Sequence, residues 1–222
     1  MLACRCLALC CVFALSSVAA VAADIPKPPR PDSANPVNYV EWINRTMGAG
    51  VKENAARVYR DAYEEFEPYE GDLGEVLDGP WSDNPKVAEW LAINRGAMKE
   101  FGQAAKMREC VFPLDDEASK GDPRLNSMLT SVLLPNLQPH RQLCKALIAE
   151  GYQAWQKGDR KTLITNAVAV IRSGQHLDNT PILIQRLVAV NVQVTGYAAL
   201  REAMKLSDKP DTLAREVLVQ LR

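Results

Sequence analysis

The sequence predicts an all-α protein of about seven helices, packed as successive antiparallel hairpins or as an irregular helical array. Two observations carry this. After position 36, apolar residues recur every three or four residues over most of the chain, the period of one helix face. A short polar residue followed by Pro recurs at Asn35-Pro36, Asn84-Pro85, Asp122-Pro123 and Thr180-Pro181. Such a side chain accepts from a free amide of the first turn, and Pro there lacks an N–H that would be unpaired anyway.

Met1 to Ala23 read as an address and not as part of the fold. Arg5 supplies a positive start, Cys6 to Leu15 an apolar centre, and Ala20-Val21-Ala22-Ala23 small residues for cleavage, the order of a secretory signal. A membrane anchor is the competing reading, but it needs about 20 apolar residues, and this run is rich in Ala and Ser and ends in a cleavage-like site. The expectation is an exported protein, periplasmic or extracellular, with no stable membrane span after cleavage.

Residues 24–35, DIPKPPRPDSAN, carry four prolines and read as an extended tether. Residues 36–222 then form the predicted single helical domain. Arg5 is the only charge in 1–23, so the remaining 25 basic and 27 acidic residues leave a net charge of −2. That balance argues against nucleic acid as a partner, because phosphate neutralisation needs a basic patch.

Cys4, Cys6, Cys10 and Cys11 leave with the signal, and only Cys110 and Cys144 remain. In an oxidising compartment they suit a disulfide closing a loop of about 35 residues, worth ~3 to 4 kcal/mol in the chain-entropy model. Two separate buried thiols are the alternative, since free Cys packs as a small hydrophobe.

Val37, Val40, Trp42, Ile43 and Met47 predict a short helix from Pro36, broken at Gly48-Ala49-Gly50, and Val51 to Phe66 predicts the next. Pro85 to about Glu109 reads as one helix. Its Gly96 and Gly102 each cost about 1 kcal/mol relative to Ala, which close approach of a neighbouring helix would explain. Leu125 to Leu134 is a shorter stretch stopped by Pro135. Gln138-Pro139 opens a helix to about Lys157, Gly158-Asp159 turns the chain, and Arg160 to His176 follows. Asp211 to Arg222 is amphipathic through Leu213, Val217, Leu218 and Leu221, and it ends with neither a glycine stop nor a polar tail. The expectation is a chain clipped at this point or a last helix that frays.

Pro181 to Met204 is apolar almost all round and is predicted to be the innermost helix. Gln185, Arg186, Asn191, Gln193 and Arg201 interrupt it, leaving no membrane-length apolar run. Asn191 and Gln193 read either as core groups satisfied by neighbours or as the lining of a cleft.

His140 and His176 are the only histidines, and none of the common zinc, haem, nucleophile-elbow or phosphate-loop patterns is present. No catalytic residue, metal or cofactor is therefore predicted. His176 precedes Asp178 near a helix C-terminus, where the macrodipole favours a cationic imidazole. Proton transfer and a simple dipole-satisfying role are the two readings there. His140 falls in a first helical turn behind Pro139.

Glu64 to Asp83 carries eight acids and no Lys or Arg, with Phe66, Tyr69, Leu73, Val76, Leu77 and Trp81 interleaved. The candidate interaction segment is Glu64, Glu65, Phe66, Glu67, Tyr69, Glu70, Asp72 and Trp81. A calcium loop's regular spacing is absent. The alternatives are a solvated acidic loop and aromatics folded back onto the helices. Asn44-Arg45-Thr46 matches the N-glycosylation triplet.

Around Glu150 to Asp178, Gly151 and Trp155 on one helix precede a Gly158-Asp159 turn. This stretch resembles the helix–turn–helix of tetratricopeptide-type repeats. It departs from the pattern at Leu163, Ala167 and Val170, and no second copy stands at a 34-residue period. The resemblance implies a helical array whose grooves bind other chains. The function expected is an exported, non-catalytic helical scaffold or interaction module whose partner is another protein. The alternative is an enzyme or small-ligand carrier with a cleft between helices.

Overall fold

The computed structural model describes residues 27–30, 37–70, 84–114, 134 and 136–221. Among these the chain is all-helical, with eight helices and one isolated backbone bridge, Asn54 to Glu109. The helices are α1 (Tyr39–Gly48), α2 (Ala55–Glu65), α3 (Pro85–Ile93), α4 (Arg95–Ala104), α5 (Leu137–Gln156), α6 (Arg160–Asp178), α7 (Leu183–Lys205) and α8 (Pro210–Leu221). The signal-like residues 1–23 and the helix starts at Asn35-Pro36 and Asp122-Pro123 lie outside the described residues. No described helix is long and apolar enough to cross a membrane.

By its contacts the chain divides into two compact units, Met1–Ala49 with Leu114–Val132, and Gly50–Pro113 with Leu133–Arg222. In the first unit, α1 starts at Tyr39, three residues later than Pro36. The cap is Asn38, whose side chain accepts from the Glu41 amide at 3.0 Å. The carboxamide of Asn44, from the glycosylation triplet, is bonded both ways to the Leu114 backbone, donating at 3.0 Å and accepting at 2.7 Å.

In the second unit, α2 begins at Ala55 behind an Asn54 cap that accepts from Ala56 N–H at 3.1 Å. Asn54 also accepts from Val111 N–H at 2.9 Å and donates to Val111 C=O at 2.8 Å. One side chain thus starts a helix and pins the segment after α4 beside it.

The helix predicted over Pro85 to Glu109 is two helices. Asn84 caps α3 as expected, accepting from Lys86 and Val87 amides. Asn94 then interrupts. Its Oδ1 accepts from Glu67 N–H at 2.8 Å, and its Nδ2 donates to Glu67 C=O and Trp90 C=O, each at 3.0 Å. A buried Asn that bonds a backbone segment outside the helix competes with the helical ladder. At Gly96 an added Cβ would meet only the carboxylate of exposed Glu65, the end of a flexible side chain that can swing aside. Gly102 meets nothing within 4 Å, so close backbone packing accounts for neither glycine.

Helices α5, α6 and α7 form the centre. Gly151 opposes Leu163, the Leu147 carbonyl accepts from Asn166 at 2.9 Å, and His140 faces Ser173, so α5 and α6 run antiparallel. Between them Gly158 adopts φ +89°, and Asp159 caps α6 by accepting from Thr162 N–H at 3.2 Å. On α7, Gly196 lies over Ile171 and Ala167, and Ala189 over Gly174. The two helices meet there almost backbone to backbone. Arg172 donates to the Gln220 carbonyl at 2.7 Å and ties α8 to α6.

The predicted innermost helix is not innermost. The central helix is α6, with Leu163, Ala167, Val170, Ile171 and Leu177 all buried. α7 buries only one face, and the residues on it are mostly small: Ala189, Val192, Gly196, Ala199 and Ala203. Its start also moves, to Leu183, with Thr180 Oγ1 accepting from Ile182 N–H at 3.3 Å and no side-chain cap at Ile182.

Candidate functional site

Tyr59 and Tyr63 project from α2 one turn apart, and the rings lie 6.3 Å apart and stacked. Each hydroxyl meets a histidine. Tyr63 Oη is 2.7 Å from His140 Nδ1, and Tyr59 Oη is 3.0 Å from His176 Nδ1. His140 Nε2 is 3.1 Å from Ser173 Oγ, and Ser173 Oγ donates to the Val170 carbonyl at 2.8 Å. Phe101 closes the cluster, edge-on to both Tyr59 and His140.

The proton positions follow from counting donors. Ser173 has one hydroxyl proton and gives it to Val170, so it accepts from His140, and Nε2 carries the imidazole hydrogen. Nδ1 is then the acceptor and Tyr63 the donor. Burial lowers the His140 pKa to about 3, helped by repulsion from His176. His140 is therefore neutral. Burial likewise pushes both tyrosine hydroxyls well above their ordinary range.

His176 sits in the last turn of α6, as expected, but burial there works against the cationic form. Desolvation holds its pKa below the usual value, outweighing the opposing backbone bond at Met107, and Arg172 adds repulsion. Asp178 does not join it, because its Oδ1 pairs with Arg186 Nε at 3.0 Å. Burial here exceeds the helix-end field, which is worth about 0.3–1 kcal/mol at exposed positions.

Cys110 and Cys144 are free and buried. Cys144 Sγ is 3.5 Å from Ser173 Oγ, and Asn179 donates to the Cys110 carbonyl at 3.1 Å. Burial pushes the Cys144 pKa up to about 12, against a smaller opposing effect of Ser173, and raises Cys110 further. Such thiols are poor nucleophiles. The order serine, histidine, tyrosine suits a nucleophile and base. Here, however, the serine proton is already committed to Val170, and Ser173 and His140 are both 0% exposed. The chain of bonds is a clamp joining α2, α5 and α6.

The described part of the acidic segment separates its two residue types. Phe66 is buried edge-on to Trp90 at 6.0 Å, and Tyr69 is half-buried 5.2 Å from the same ring. Trp90 Nε1 donates to the Glu67 carbonyl at 2.8 Å. Glu64, Glu65, Glu67 and Glu70 are exposed. Asp72 and Trp81 lie outside the described residues. Among the described residues no three His, Cys, Asp or Glu side chains group as metal ligands.

The feature that the sequence reading missed is the other face of α7. Leu183, Ile184, Leu187, Val190, Val194 and Tyr197 are 47–69% exposed, and Asn191, of the two polar residues expected in the core or a cleft, is exposed among them. The spacing of Leu183, Leu187, Val190, Val194 and Tyr197 alternates four and three residues, which places them on one stripe. Most of the large apolar side chains face solvent, whereas the buried face combines Ala189, Gly196, Ala199 and Ala203 with Gln185, Val192 and Leu200. The alternation of small and large positions along 183–203 was a sequence signal for this.

No protein-family profile matches the chain, and no curated protein or solved structure matches it either.

Proposed function

We propose that this chain is an exported, non-catalytic helical module that works by binding another polypeptide through α7. The observation that carries this reading is the exposed stripe of Leu183, Ile184, Leu187, Val190, Val194 and Tyr197. Contiguous exposed apolar patches of this kind mark interaction sites in soluble proteins. The interior supports the same reading, because His140, Ser173, Cys110 and Cys144, among the described residues, are all buried. The hairpin of α5 and α6 sets Gly151 against Leu163 and Trp155 under Arg160 at 5.3 Å. Export rests on the signal-like residues 1–23.

A photo-crosslinking amino acid at Val190, compared with one at exposed Lys157, tests the binding face in the cells that make the protein. Covalent protein adducts from position 190 alone are expected. Adducts from neither position, or equal adducts from both, overturn the reading. Sequencing the N-terminus of protein from the extracytoplasmic fraction tests export, with a start after Ala23 expected and an intact Met1 in the cytosol overturning it.

A further inference from the structure

We propose that His140 and His176 form an acid-operated latch, which holds the layer of α2, α3 and α4 against the α5–α6 hairpin near neutral pH and releases it when both imidazoles are protonated. The latch is independent of what α7 binds.

The chain has two histidines, and the fold brings both to one seam. His140 comes from α5 and His176 from α6, and each meets a tyrosine of α2 through Nδ1, at 2.7 and 3.0 Å. The Tyr59 ring is 5.5 Å from the His140 ring and 5.8 Å from that of His176. α2 packs on α4 and reaches the hairpin through these long side chains. The layer holds itself together without them. Asn54 bonds both backbone groups of Val111, and Asn94 and Trp90 bond the Glu67 backbone. It can therefore move as one piece.

The surroundings of the two rings suit the neutral form. α2 presents Tyr59 and Tyr63, α4 presents Phe101, and the segment after α4 presents Cys110 and the Met107 backbone. α5 adds Cys144, and α6 adds Ser173 and the cationic Arg172. Among the described residues neither ring forms an ion pair with a carboxylate. A proton on His140 turns Nδ1 from acceptor into donor, so Tyr63 loses the bond that it donates, and the new charge is buried without a counter-ion. A second proton on His176 adds repulsion to the first.

The neighbouring seam is built differently. The closest approaches of α6 and α7, Gly174 to Ala189 and Gly196 to Ala167, involve no titratable side chain. Acid therefore acts on one seam and spares the other. In the released form both rings are hydrated and titrate near the ordinary 6.5, so each pH unit below that favours release by up to about tenfold per histidine.

Hydrogen exchange of the full chain, read by mass spectrometry from pH 7 to pH 4.5 and corrected for the chemical exchange rate at each pH, is the test. The slowest amides of α2 are expected to lose protection by at least about 100-fold, while those of α7 from Ala189 to Ala203 lose less than about threefold. Neutralising the sample is expected to restore α2. Unchanged protection of α2 overturns the proposal, and so does an equal loss in α2 and α7, which is global unfolding. His176→Gln keeps a hydrogen-bonding group at a partly exposed position but takes up no proton. It is expected to shrink the loss in α2 by about tenfold or more, and an unchanged loss overturns the two-histidine latch. Should that variant fail to fold, the wild-type comparison of α2 with α7 decides alone.

Discussion

The Tyr63 hydroxyl and His140 Nδ1 are 2.7 Å apart, and that bond makes one imidazole the link between α2 and α6. Tyr63 donates to Nδ1, Nε2 donates to Ser173, and Ser173 donates to Val170. Each group has the partner that its chemistry requires. No described buried side-chain nitrogen or oxygen lacks a hydrogen-bond partner.

Breaking this series at one member leaves another buried group unsatisfied, which costs about 1–3 kcal/mol. Tyr63→Phe orphans His140 Nδ1 and Ser173→Ala orphans Nε2–H, so each is expected to lose stability in that range by urea denaturation. The double variant is expected to lose less than the sum of the two, because both act through one imidazole. Strict additivity would show that the series is not a unit.

The same imidazole gives a pH dependence with a fixed sign. The His140 pKa, about 3 when folded, lies below its ordinary 6.5. Between those values the unfolded chain binds a proton that the folded chain does not. Stability is therefore full above about pH 6.5 and falls as pH drops through the window, by up to about 1.4 kcal/mol per pH unit for one proton. His176 is shifted in the same direction and adds to the slope. His140→Gln is expected to reduce the slope between pH 6 and 4.5, measured from urea midpoints. An unchanged slope would assign the acid sensitivity elsewhere.

Cys110 and Cys144 are expected to resist a thiol reagent in the folded protein at pH 8 and to react on unfolding, since both are buried with raised pKa. Both should titrate in urea, with labelling at least about 100-fold slower in buffer; closed-state protection of this size follows from a few kcal/mol of stability. Native labelling at the rate of a free thiol would place them at the surface.

Two glycines should respond oppositely to Ala. A Cβ at Gly196 would stand 2.6 Å from Ile171 Cγ1 and 2.9 Å from the Ala167 carbonyl oxygen, forcing α6 and α7 apart. Gly196→Ala is expected to destabilise by about 1–3 kcal/mol, as overpacking does. Gly102 has open space around it, so Gly102→Ala should stabilise by up to about 1 kcal/mol through helix propensity. Thermal melts of the two variants decide this, and shifts in the same direction would contradict the packing described here.

The legible parts of the fold were the local ones. Asn84-Pro85 and Gly158-Asp159 act within a few residues of themselves, and the structure places a helix start and a turn at them. Asn94 was not legible, because the Glu67 backbone that it holds lies 27 positions away. Of the candidate site, the acids Glu64 to Glu70 were readable as exposed from their charge. The pairing of Tyr63 with His140 spans 77 positions, and no spacing rule connects them.

The sequence by itself determined that this chain is helical, where most helices begin and end, and how far apolar character extends along 181–204, because period, caps and composition are properties of neighbouring residues. Only the tertiary structure decided which side of that apolar helix is inside. Gly196 and Ala189 let α7 approach α6 backbone to backbone, so the close-packed face takes the small side chains and Leu187, Val190 and Val194 are left to solvent. Hydrophobicity is additive along a sequence, whereas burial depends on the shape of the surface that each side chain meets.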